Sequence, residues 1–363
     1  MHIAIDARII SSGTGRYIER LLTHLEKLDS DHNYSVLVRA KDKKYWTPTK
    51  DNFKIVVADY ADYSFAEQLG FYRFLKKLGP DLVHFCMPQQ PLLYRGNIIT
   101  TVHDLNLLRI DSNDMDPRVL RFKQKVFRKL LQTITKRSRY IITPSEYTKK
   151  DLLEFQNKPS DKVIVTPEGS EKFDSRPEVV DRYKGRQYIM YVGRAESYKN
   201  NRTMIKAHQR LLAKNPDLRL VIVGKKDKQR LDDMKWVKEN DYANVDFVGF
   251  MSDGQLAWLY QNCQAYVFPS FMEGFGLPPL EAMQYGAPVV SSDATCLPEV
   301  LGDAALYFNP LYEKDMSNKI QTVISDKKLR EEMIAKGNKQ VNKYSWKKMA
   351  EQTLEVYNRS LRS

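Results

Sequence analysis

The stretch Phe268–Val290, FPSFMEGFGLPPLEAMQYGAPVV, contains the pattern that decides the fold of its half of the chain. It predicts the end of a buried strand, then a glycine turn, and then a helix. Gly274 and Gly276 allow a tight turn and a close approach of the backbone to a ligand. Pro278 and Pro279 suit the first turn of a helix, where backbone N–H groups have no helical partner.

Such a helix start predicts an anion site. The backbone N–H groups of Phe275, Gly276 and Leu277 would point out of the helix, and together with its dipole they attract phosphate. Glu273 and Glu281 stand eight positions apart around this turn. Glu281 suits a ribose diol and Glu273 suits sugar hydroxyls. The alternatives are stabilisation of the helix dipole by Glu281 and a solvated loop position for Glu273.

A cationic turn lies upstream, in Tyr191–Asn200 (YVGRAESYKN). Arg194 and Lys199 flank this turn after a buried strand, and two converging cations suit a diphosphate if no metal neutralises it. The alternative is a pair of exposed basic side chains in a basic protein. Gly224, Lys225 and Lys226 follow the next strand, and we expect a nucleoside base to lie near them and near Phe250 and Met251.

The first half of the chain opens with its own strand–turn–helix pattern. Gly13, Thr14, Gly15 and Arg16 form the turn. Glycines before a helix, next to an arginine, suit a phosphate or a sugar. The alternative is a tight turn that binds no ligand. The turn lacks the third glycine of a dinucleotide-binding G-x-G-x-x-G motif, because Ile18 occupies that position.

A histidine and an aspartate follow a later strand of this half. His103 and Asp104 come directly after the strand Ile98–Val102. Residues just past the carboxyl end of a parallel strand face the crevice where ligands bind. His103 is therefore a candidate site residue, with Asp104 as the group that orients its ring. A structural histidine is the alternative.

Strand-like runs alternate with helical runs along the chain, which predicts parallel, doubly wound sheets. One of the predicted helices covers residues 65–78. The alternation stops in the polar segment after residue 167 and restarts at Tyr188. We therefore predict an α/β fold of two Rossmann-like domains that face a cleft. The predicted bounds are 1–168 for the first domain, 169–184 for a linker, 185–343 for the second domain and 344–363 for a C-terminal helix that packs back on the first.

Composition narrows the class of protein. The 363 residues contain 58 Lys and Arg and 45 Asp and Glu, and residues 1–150 contain 26 of the former against 16 of the latter. This asymmetry predicts an anionic partner for the first half. Cys86, Cys263 and Cys296 show no disulfide pattern, which favours a reducing compartment. No apolar run approaches the ~20 residues of a membrane span, so a cytoplasmic protein is expected.

The sequence shows no metal-site spacing. The six histidines have no regular spacing to one another or to the cysteines. Asp114 and Asp116 form a D-x-D pattern, which binds metal–nucleotide complexes in some enzymes. Here the pattern precedes Pro117, so helix capping by Asp116 explains it. We therefore expect no metal.

The segment Glu273–Glu281, EGFGLPPLE, resembles the E-x7-E motif of the retaining glycosyltransferases of family 4, which have the two-domain GT-B fold. The resemblance covers most of the chain and is strongest between Tyr191 and Pro310. It implies that Arg194 and Lys199 bind a diphosphate and that Glu281 binds the ribose. It further implies that Glu273 and His103 bind the donor sugar, and that the turn at residues 13–16 lies beside the donor phosphates and the acceptor.

The resemblance also implies the reaction. A hexose would move from a nucleotide-diphospho-sugar to a glycan or lipid-linked glycan, with retention and with neither a metal nor another cofactor. The first domain would be the acceptor side and the second the nucleotide-sugar side. The E-x7-E segment and Leu297–Ala305 look most like mannosyltransferases, so GDP-mannose is the leading donor and a UDP-hexose is close behind. Pro167-Glu168-Gly169 departs from the usual Pro-Asn-Gly.

The helix predicted over Pro117–Arg139 is basic and contains no acidic residue. Its cationic face predicts either a peripheral contact with the inner face of a membrane or a solvated surface. Nucleic acid is not expected, because no recognition motif accompanies the charge. The apolar side predicted to face the sheet comprises Val119, Leu120, Val126, Phe127, Leu130, Leu131 and Ile134.

Three other functions remain open at this point. One is a nucleotide-sugar epimerase with the same domain plan. Another is an NADP-linked oxidoreductase, which Arg39 at the end of the second strand suggests. The third is a non-catalytic sugar-binding or membrane-associated module.

Overall fold

The computed structural model describes residues 1–62, 64–110, 116–156 and 161–362. Asp114 of the D-x-D pattern lies outside them. Contacts divide the chain into two compact units. The first unit comprises Met1–Arg109, Arg118–Gly169 and Ser345–Ser363, and the second comprises Ile110–Pro117 and Ser170–Tyr344.

The first unit is built on a sheet whose strand pairs are all parallel, with the order β3-β2-β1-β4-β5-β6-β7 among the described residues. Most of its strand residues are buried, as expected for a parallel sheet covered on both faces. The strands are β1 (His2–Asp6), β2 (Asn33–Val38), β3 (Phe53–Val57), β4 (Leu82–Phe85), β5 (Ile98–Thr101), β6 (Tyr140–Thr143) and β7 (Val163–Val165).

Helices connect these strands. They are α1 (Gly15–Leu28), α2 (Tyr72–Leu78), α3 (Pro117–Arg137) and α4 (Glu146–Gln156). Helix α1 buries Tyr17, Ile18, Leu21, Leu22 and Leu25, which recur at helical spacing.

The second unit repeats the plan with another parallel sheet, ordered β10-β9-β8-β11-β12-β13 in the described part of the chain. The order changes direction beside β8, as in doubly wound folds. The strands are β8 (Tyr188–Val192), β9 (Arg219–Val223), β10 (Val245–Gly249), β11 (Ala265–Phe268), β12 (Val289–Ser292) and β13 (Ala305–Phe308).

The helices of the second unit are α5 (Asn201–Leu211), α6 (Lys228–Glu239), α7 (Asp253–Asn262), α8 (Leu277–Gln284), α9 (Leu297–Leu301), α10 (Glu313–Ser325) and α11 (Lys327–Val341). Helix α7 begins with a capping box, in which Ser252 and Gln255 bond each other's backbone N–H groups.

The last helix, α12 (Trp346–Arg362), belongs to the first unit and packs on α1. The Tyr357 hydroxyl lies 2.6 Å from Nδ1 of His84 on β4, and Ser360 bonds Asn97 through its hydroxyl and its carbonyl. These polar contacts fix the helix against the sheet of the first unit.

Both predicted Rossmann-like sheets are confirmed, but some local predictions are wrong. The region predicted as one helix over 65–78 is a π-helix, Ala66–Phe71, followed by α2. Helices α4 and α11 were not predicted, because their sequences have weak apolar periodicity.

The apolar side predicted for α3 is partly wrong. Leu120, Phe127, Leu130, Leu131 and Ile134 are buried as predicted. Val119 and Val126 are exposed, as is Phe122, of which 67% is accessible. The buried stripe is therefore narrower than the apolar set, and α3 carries apolar side chains on its basic outer face.

Candidate active site

The turn between β11 and α8 is shaped by Gly276. This residue precedes the helix with φ +97°, in the left-handed region that favours glycine. A Cβ at this position would lie 2.8 Å from Cδ2 of Leu297. Pro278 and Pro279 lie in the first turn of α8, as predicted. The backbone at Phe275–Leu277 therefore forms the predicted helix start.

Residues from the loop after β12 hold this turn in place. The backbone N–H of Glu273 donates to the Thr295 hydroxyl at 3.1 Å. The Cys296 thiol lies 3.3 Å from the carbonyl oxygens of both Glu273 and Phe275. Burial raises the pKa of this thiol, so it remains a protonated donor. Sequence reasoning missed both anchors, because only the fold brings them to the turn.

Lys199 and Glu273 form an ion pair beside this turn. Nζ of Lys199 lies 2.7 Å from Oε1 of Glu273, and the side chains are 15% and 12% exposed. Burial on its own lowers the pKa of the Lys199 ammonium, but the carboxylate of Glu273 raises it, and the net pKa lies above the ordinary value. The structure thus brings together two predicted site residues as direct partners.

The backbone after Lys199 is fixed by an asparagine. Asn200 has φ +59°, a left-handed conformation that asparagine tolerates better than most residues. Its side-chain amide donates to the carbonyl oxygens of Pro269 and Pro310, at 3.1 and 2.8 Å. These bonds tie the end of the Lys199 turn to the segment after β11, which leads to Glu273.

Arg194 lies on the turn after β8 and pairs with Glu196. Its Nε lies 2.9 Å from Oε1 of Glu196, and its side chain is 64% exposed. The Arg194 carbonyl accepts hydrogen bonds from the Tyr191 hydroxyl and the Asn201 amide, at 3.1 and 3.2 Å. The backbone is held from inside the unit while the guanidinium lies at the surface.

The remaining predicted donor residues also lie on the second unit. Gly224 follows β9 with φ +151°, and a Cβ there would lie 2.1 Å from the Gly193 carbonyl oxygen. Lys225 is exposed next to it. Gly274 lies in the turn before α8, and Glu281 is a largely buried residue of that helix. The turns after β8 and β9 are therefore in backbone contact with each other.

In the first unit, the predicted phosphate turn has a packing explanation of its own. A Cβ on Gly15 would lie 1.9 Å from the carbonyl oxygen of Ile10, so close backbone packing requires this glycine. Gly13 is exposed, and no atom within 4 Å would meet a Cβ there. The Thr14 hydroxyl lies 3.0 Å from that of Ser12, and Arg16 is half-buried on the first turn of α1.

His103 has both ring nitrogens engaged within the first unit. Nδ1 lies 3.1 Å from Oε1 of Glu168, and Nε2 lies 3.1 Å from the Cys86 carbonyl oxygen. Its ring meets Tyr17 edge-on, with centroids 4.7 Å apart. Asp104 accepts the Asn106 backbone N–H at 2.9 Å. The carboxylate that bonds the His103 ring is thus Glu168, the residue that departs from the Pro-Asn-Gly pattern.

Among residues 1–62, 64–110, 116–156 and 161–362, no group of three or more His, Cys, Asp or Glu side chains is arranged to hold a metal ion. Within the same ranges, no helix combines the length and the apolar character needed to cross a membrane.

Comparison with known proteins places these features in a family. The family model of "Glycosyl transferases group 1" matches residues 172–340, and that of "Glycosyltransferase Family 4" matches residues 11–172. The O-antigen chain mannosyltransferase B of Escherichia coli is 31% identical over 270 residues, which cover 71% of this chain and 69% of that protein.

Solved structures show the same fold. Sucrose-phosphate synthase from Thermosynechococcus elongatus has a TM-score of 0.78 at 19% identity, covering 99% of this chain and 98% of that one. Anabaena HepE, solved in complex with UDP-glucose, has a TM-score of 0.76 at 15% identity, covering 99% of each chain. At these identities the likeness concerns the fold alone.

Proposed function

Because the chain belongs to the group 1 glycosyltransferases and is a glycosyltransferase, we propose that it moves a hexose from a nucleotide-diphospho-sugar to a glycan or lipid-linked glycan. GDP-mannose is the proposed donor, supported by the mannosyltransferase relative. A UDP-hexose is the alternative. We further propose that transfer retains the anomeric configuration and needs no metal.

The observation that carries the proposal is the Lys199–Glu273 pair at the start of α8. Its 2.7 Å contact joins a largely buried ammonium to the turn that leads into α8, and the first backbone N–H groups of a helix have no helical partner. Both features stabilise negative charge, and a departing diphosphate gains charge as the glycosidic bond breaks. Because the pKa of Lys199 is raised, the ammonium keeps its charge at neutral pH.

Each carboxylate has a separate proposed role. Glu273 lies in the loop, where it pairs with Lys199 through Oε1, and we propose that it also contacts sugar hydroxyls. Glu281 lies on α8 and is proposed to bind the ribose diol, in the way acids do in dinucleotide sites. Arg194 and the backbone at Phe275–Leu277 complete the proposed diphosphate contacts, and His103 is the proposed sugar contact from the first unit.

We propose that the anomeric configuration is retained because the acceptor attacks and the diphosphate departs on the same face of the sugar. The acceptor hydroxyl attacks from the side on which the diphosphate departs, and the diphosphate oxygen accepts the proton of that hydroxyl. This route requires no covalent intermediate with a side chain. Analysis of the anomeric configuration of the product by NMR tests it, and an inverted product would contradict it.

The test of the donor and of metal independence is a thermal-shift panel with GDP, UDP, ADP and dTDP, with and without EDTA. We expect the largest rise in Tm with GDP and the same rise in EDTA. A UDP preference would change the donor, and a shift lost in EDTA would overturn the metal-free scheme. Absence of any shift, together with absence of transfer, would overturn the function.

A cytoplasmic location with peripheral membrane contact through α3 remains part of the proposal. Its support is the exposed apolar side chains Val119, Phe122 and Val126 on a helix with a basic outer face. Vesicles of phosphatidylcholine with and without phosphatidylglycerol test it by co-sedimentation. We expect binding only with the anionic lipid, and Phe122→Ser should weaken it; equal binding to both vesicles would contradict the proposal.

A further inference from the structure

The second unit buries an arginine that the proposed reaction does not use. Arg230, on the first turn of α6, is 1% exposed. Its Nη2 donates to the carbonyl oxygen of Gly193 at 2.8 Å. Its Nε and Nη1 are buried and have no hydrogen-bond partner among the residues that the structure describes.

This guanidinium also lacks an ion-pair partner within the described ranges. The nearby carboxylate of Asp233 bonds Arg202 at 2.9 Å, and that of Asp227 accepts the Arg230 backbone N–H at 3.0 Å. Burial lowers the pKa of Arg230, and the acidic neighbours do not offset this. A buried cation without a paired anion costs folding free energy, so its presence calls for a compensating role.

The position of Arg230 indicates that role. The Gly193 carbonyl that it bonds is pressed against Cα of Gly224, since a Cβ there would lie 2.1 Å from that oxygen. The next residue is Arg194, whose own carbonyl is bonded by Tyr191 and Asn201. The uncompensated charge therefore lies directly behind the turns after β8 and β9, one residue from the exposed guanidinium proposed to meet the diphosphate.

Glu196 gives the same turn a competing negative charge. Its Oε1 pairs with Arg194 at 2.9 Å, whereas its Oε2 is buried without a hydrogen-bond partner in the described part of the chain. Arg194 is thus neutralised by an acid of its own turn. Arg230 therefore adds positive charge behind this turn, next to that of the exposed Lys225 on the turn after β9.

We propose that Arg230 is a positioning residue that holds the Gly193–Arg194 turn and supplies the uncompensated positive charge that attracts the diphosphate of the donor. The inference rests on the proposed function, because that function places the diphosphate at this turn. Arg230 acts through its hydrogen bond to the Gly193 carbonyl and through its field, which is weakly screened in a buried setting. It makes no contact with the reacting atoms.

Removing the charge of Arg230 should weaken the binding of the nucleoside diphosphate without lowering the stability of the fold. Arg230→Met keeps the apolar stem and removes the charge, so we expect Tm to stay the same or to rise. We expect the Kd for GDP or UDP, whichever binds the wild type more tightly, to rise about tenfold. A single charge that acts on the diphosphate through the protein interior contributes binding free energy of this order. Affinity for the parent nucleoside should not change.

The matched control is Arg210→Met, which removes the same charge from the same unit. Arg210 is 51% exposed and pairs with Glu313 at 2.7 Å. It should leave the affinity for the nucleoside diphosphate unchanged. Isothermal titration measures the diphosphate and ligand-observed NMR measures the nucleoside, both on the full chain without acceptor.

The outcomes separate this inference from the proposed function. If the wild type binds neither GDP nor UDP, the proposed function falls and the inference falls with it. If the wild type binds one of them and Arg230→Met binds it equally well, the inference alone is overturned. A lower Tm with unchanged affinity would show that Arg230 serves the fold only. Should Arg230→Met not fold, Arg230→Gln, which keeps one donor for the Gly193 carbonyl, provides the same affinity comparison.

Discussion

Arg8 in the first unit and Arg230 in the second are both buried near the carboxyl ends of strands, but they have opposite charge environments. Arg8, just after β1, bonds both carboxylate oxygens of Asp6 at 2.8 Å and Oε1 of Glu67 at 2.9 Å. Its guanidinium also lies 3.9 Å from the centre of the Phe71 ring. Arg230, in the second unit, bonds one backbone carbonyl and lies 5.8 Å from the centre of the Phe247 ring.

The two arginines differ in the charges that surround them. Burial lowers the pKa of Arg8, but Asp6 and Glu67 raise it by more, so its net pKa lies above the ordinary value. The pKa of Arg230 lies below the ordinary value, because its acidic neighbours do not offset the effect of burial. A cation enclosed by two acids has its field cancelled nearby and stabilises the fold. A cation with no paired acid keeps its field and can act on a ligand.

The largest expected effect comes from replacing Arg8, the arginine that is paired with two carboxylates. Arg8→Met leaves Asp6 and Glu67 as buried carboxylates without their cation, so the free energy of unfolding should fall by about 3–5 kcal/mol. Urea denaturation at neutral pH measures this, with Arg230→Met in the same assay as the comparison. If both variants lose the same stability, the contrast between the two arginines is wrong.

The next effect concerns activity at the second unit. Lys199→Ala removes the buried ammonium beside the α8 turn, and kcat for transfer should fall about 10²–10³-fold, the usual cost of losing one preorganised donor to a developing anion. Steady-state assays with the donor chosen by the thermal-shift panel measure it. The Arg210→Met variant should keep wild-type kcat, and near-wild-type turnover by Lys199→Ala would remove this residue from the mechanism.

A smaller effect appears in acid and involves both units. Burial lowers the pKa of His84 to about 3, with a further contribution from His103, and burial lowers the pKa of His208 to about 4, from an ordinary value of 6.5. Between the folded and unfolded pKa values the unfolded chain binds more protons. Stability is therefore complete above pH 6.5 and is lost as pH falls toward the lowered values.

Each histidine should contribute a slope of up to about 1.4 kcal/mol per pH unit in this window. Urea denaturation at several pH values gives the slope, and His84→Gln and His208→Gln should each reduce it. The reduction should extend to lower pH for His84, which has the lower pKa. A slope that neither substitution changes would assign the acid sensitivity to other groups.

The smallest expected effect concerns the support of Arg230. The side chain of Asp227 accepts the backbone N–H of Arg230 as the N-cap of α6. Asp227→Ala should cost about 1 kcal/mol of stability, typical of a lost cap. The matched variant Ser252→Ala at α7 should cost the same. Asp227→Ala also removes a carboxylate whose charge acts on Arg230, so it should leave nucleoside diphosphate binding unchanged or tighter; weaker binding than in Ser252→Ala would contradict the field that we assign to Arg230.

The sequence predicts the architecture because parallel buried strands are continuous apolar runs with helices between them. It also selects Gly276, Lys199 and Glu273 as candidate site residues near two strand ends, and the structure brings Lys199 and Glu273 into contact. It does not identify Lys199 and Glu273 as partners, since they are 74 positions apart in the chain.

The features missed by the sequence depend on tertiary packing. Helix α11 has a mainly polar sequence with Gly337 inside it, and a Cβ on that glycine would lie 3.2 Å from Met283 of α8. Close packing of the two helices therefore overrides the poor helix propensity of glycine. Arg230 lies in the charged stretch 225–235, KKDKQRLDDMK. No pattern in this stretch indicates which of its charged side chains is buried and which are exposed to solvent.

The return of α12 to the first unit has a consequence for the order of folding during synthesis. Residues 170–344 are translated between the two parts of the first unit, so the second unit can be completed while the first still lacks α12. Until then, His84 and Asn97 have no Tyr357 or Ser360 to bond. The unit that leaves the ribosome first is therefore completed only after the second unit has been translated, when α12 emerges.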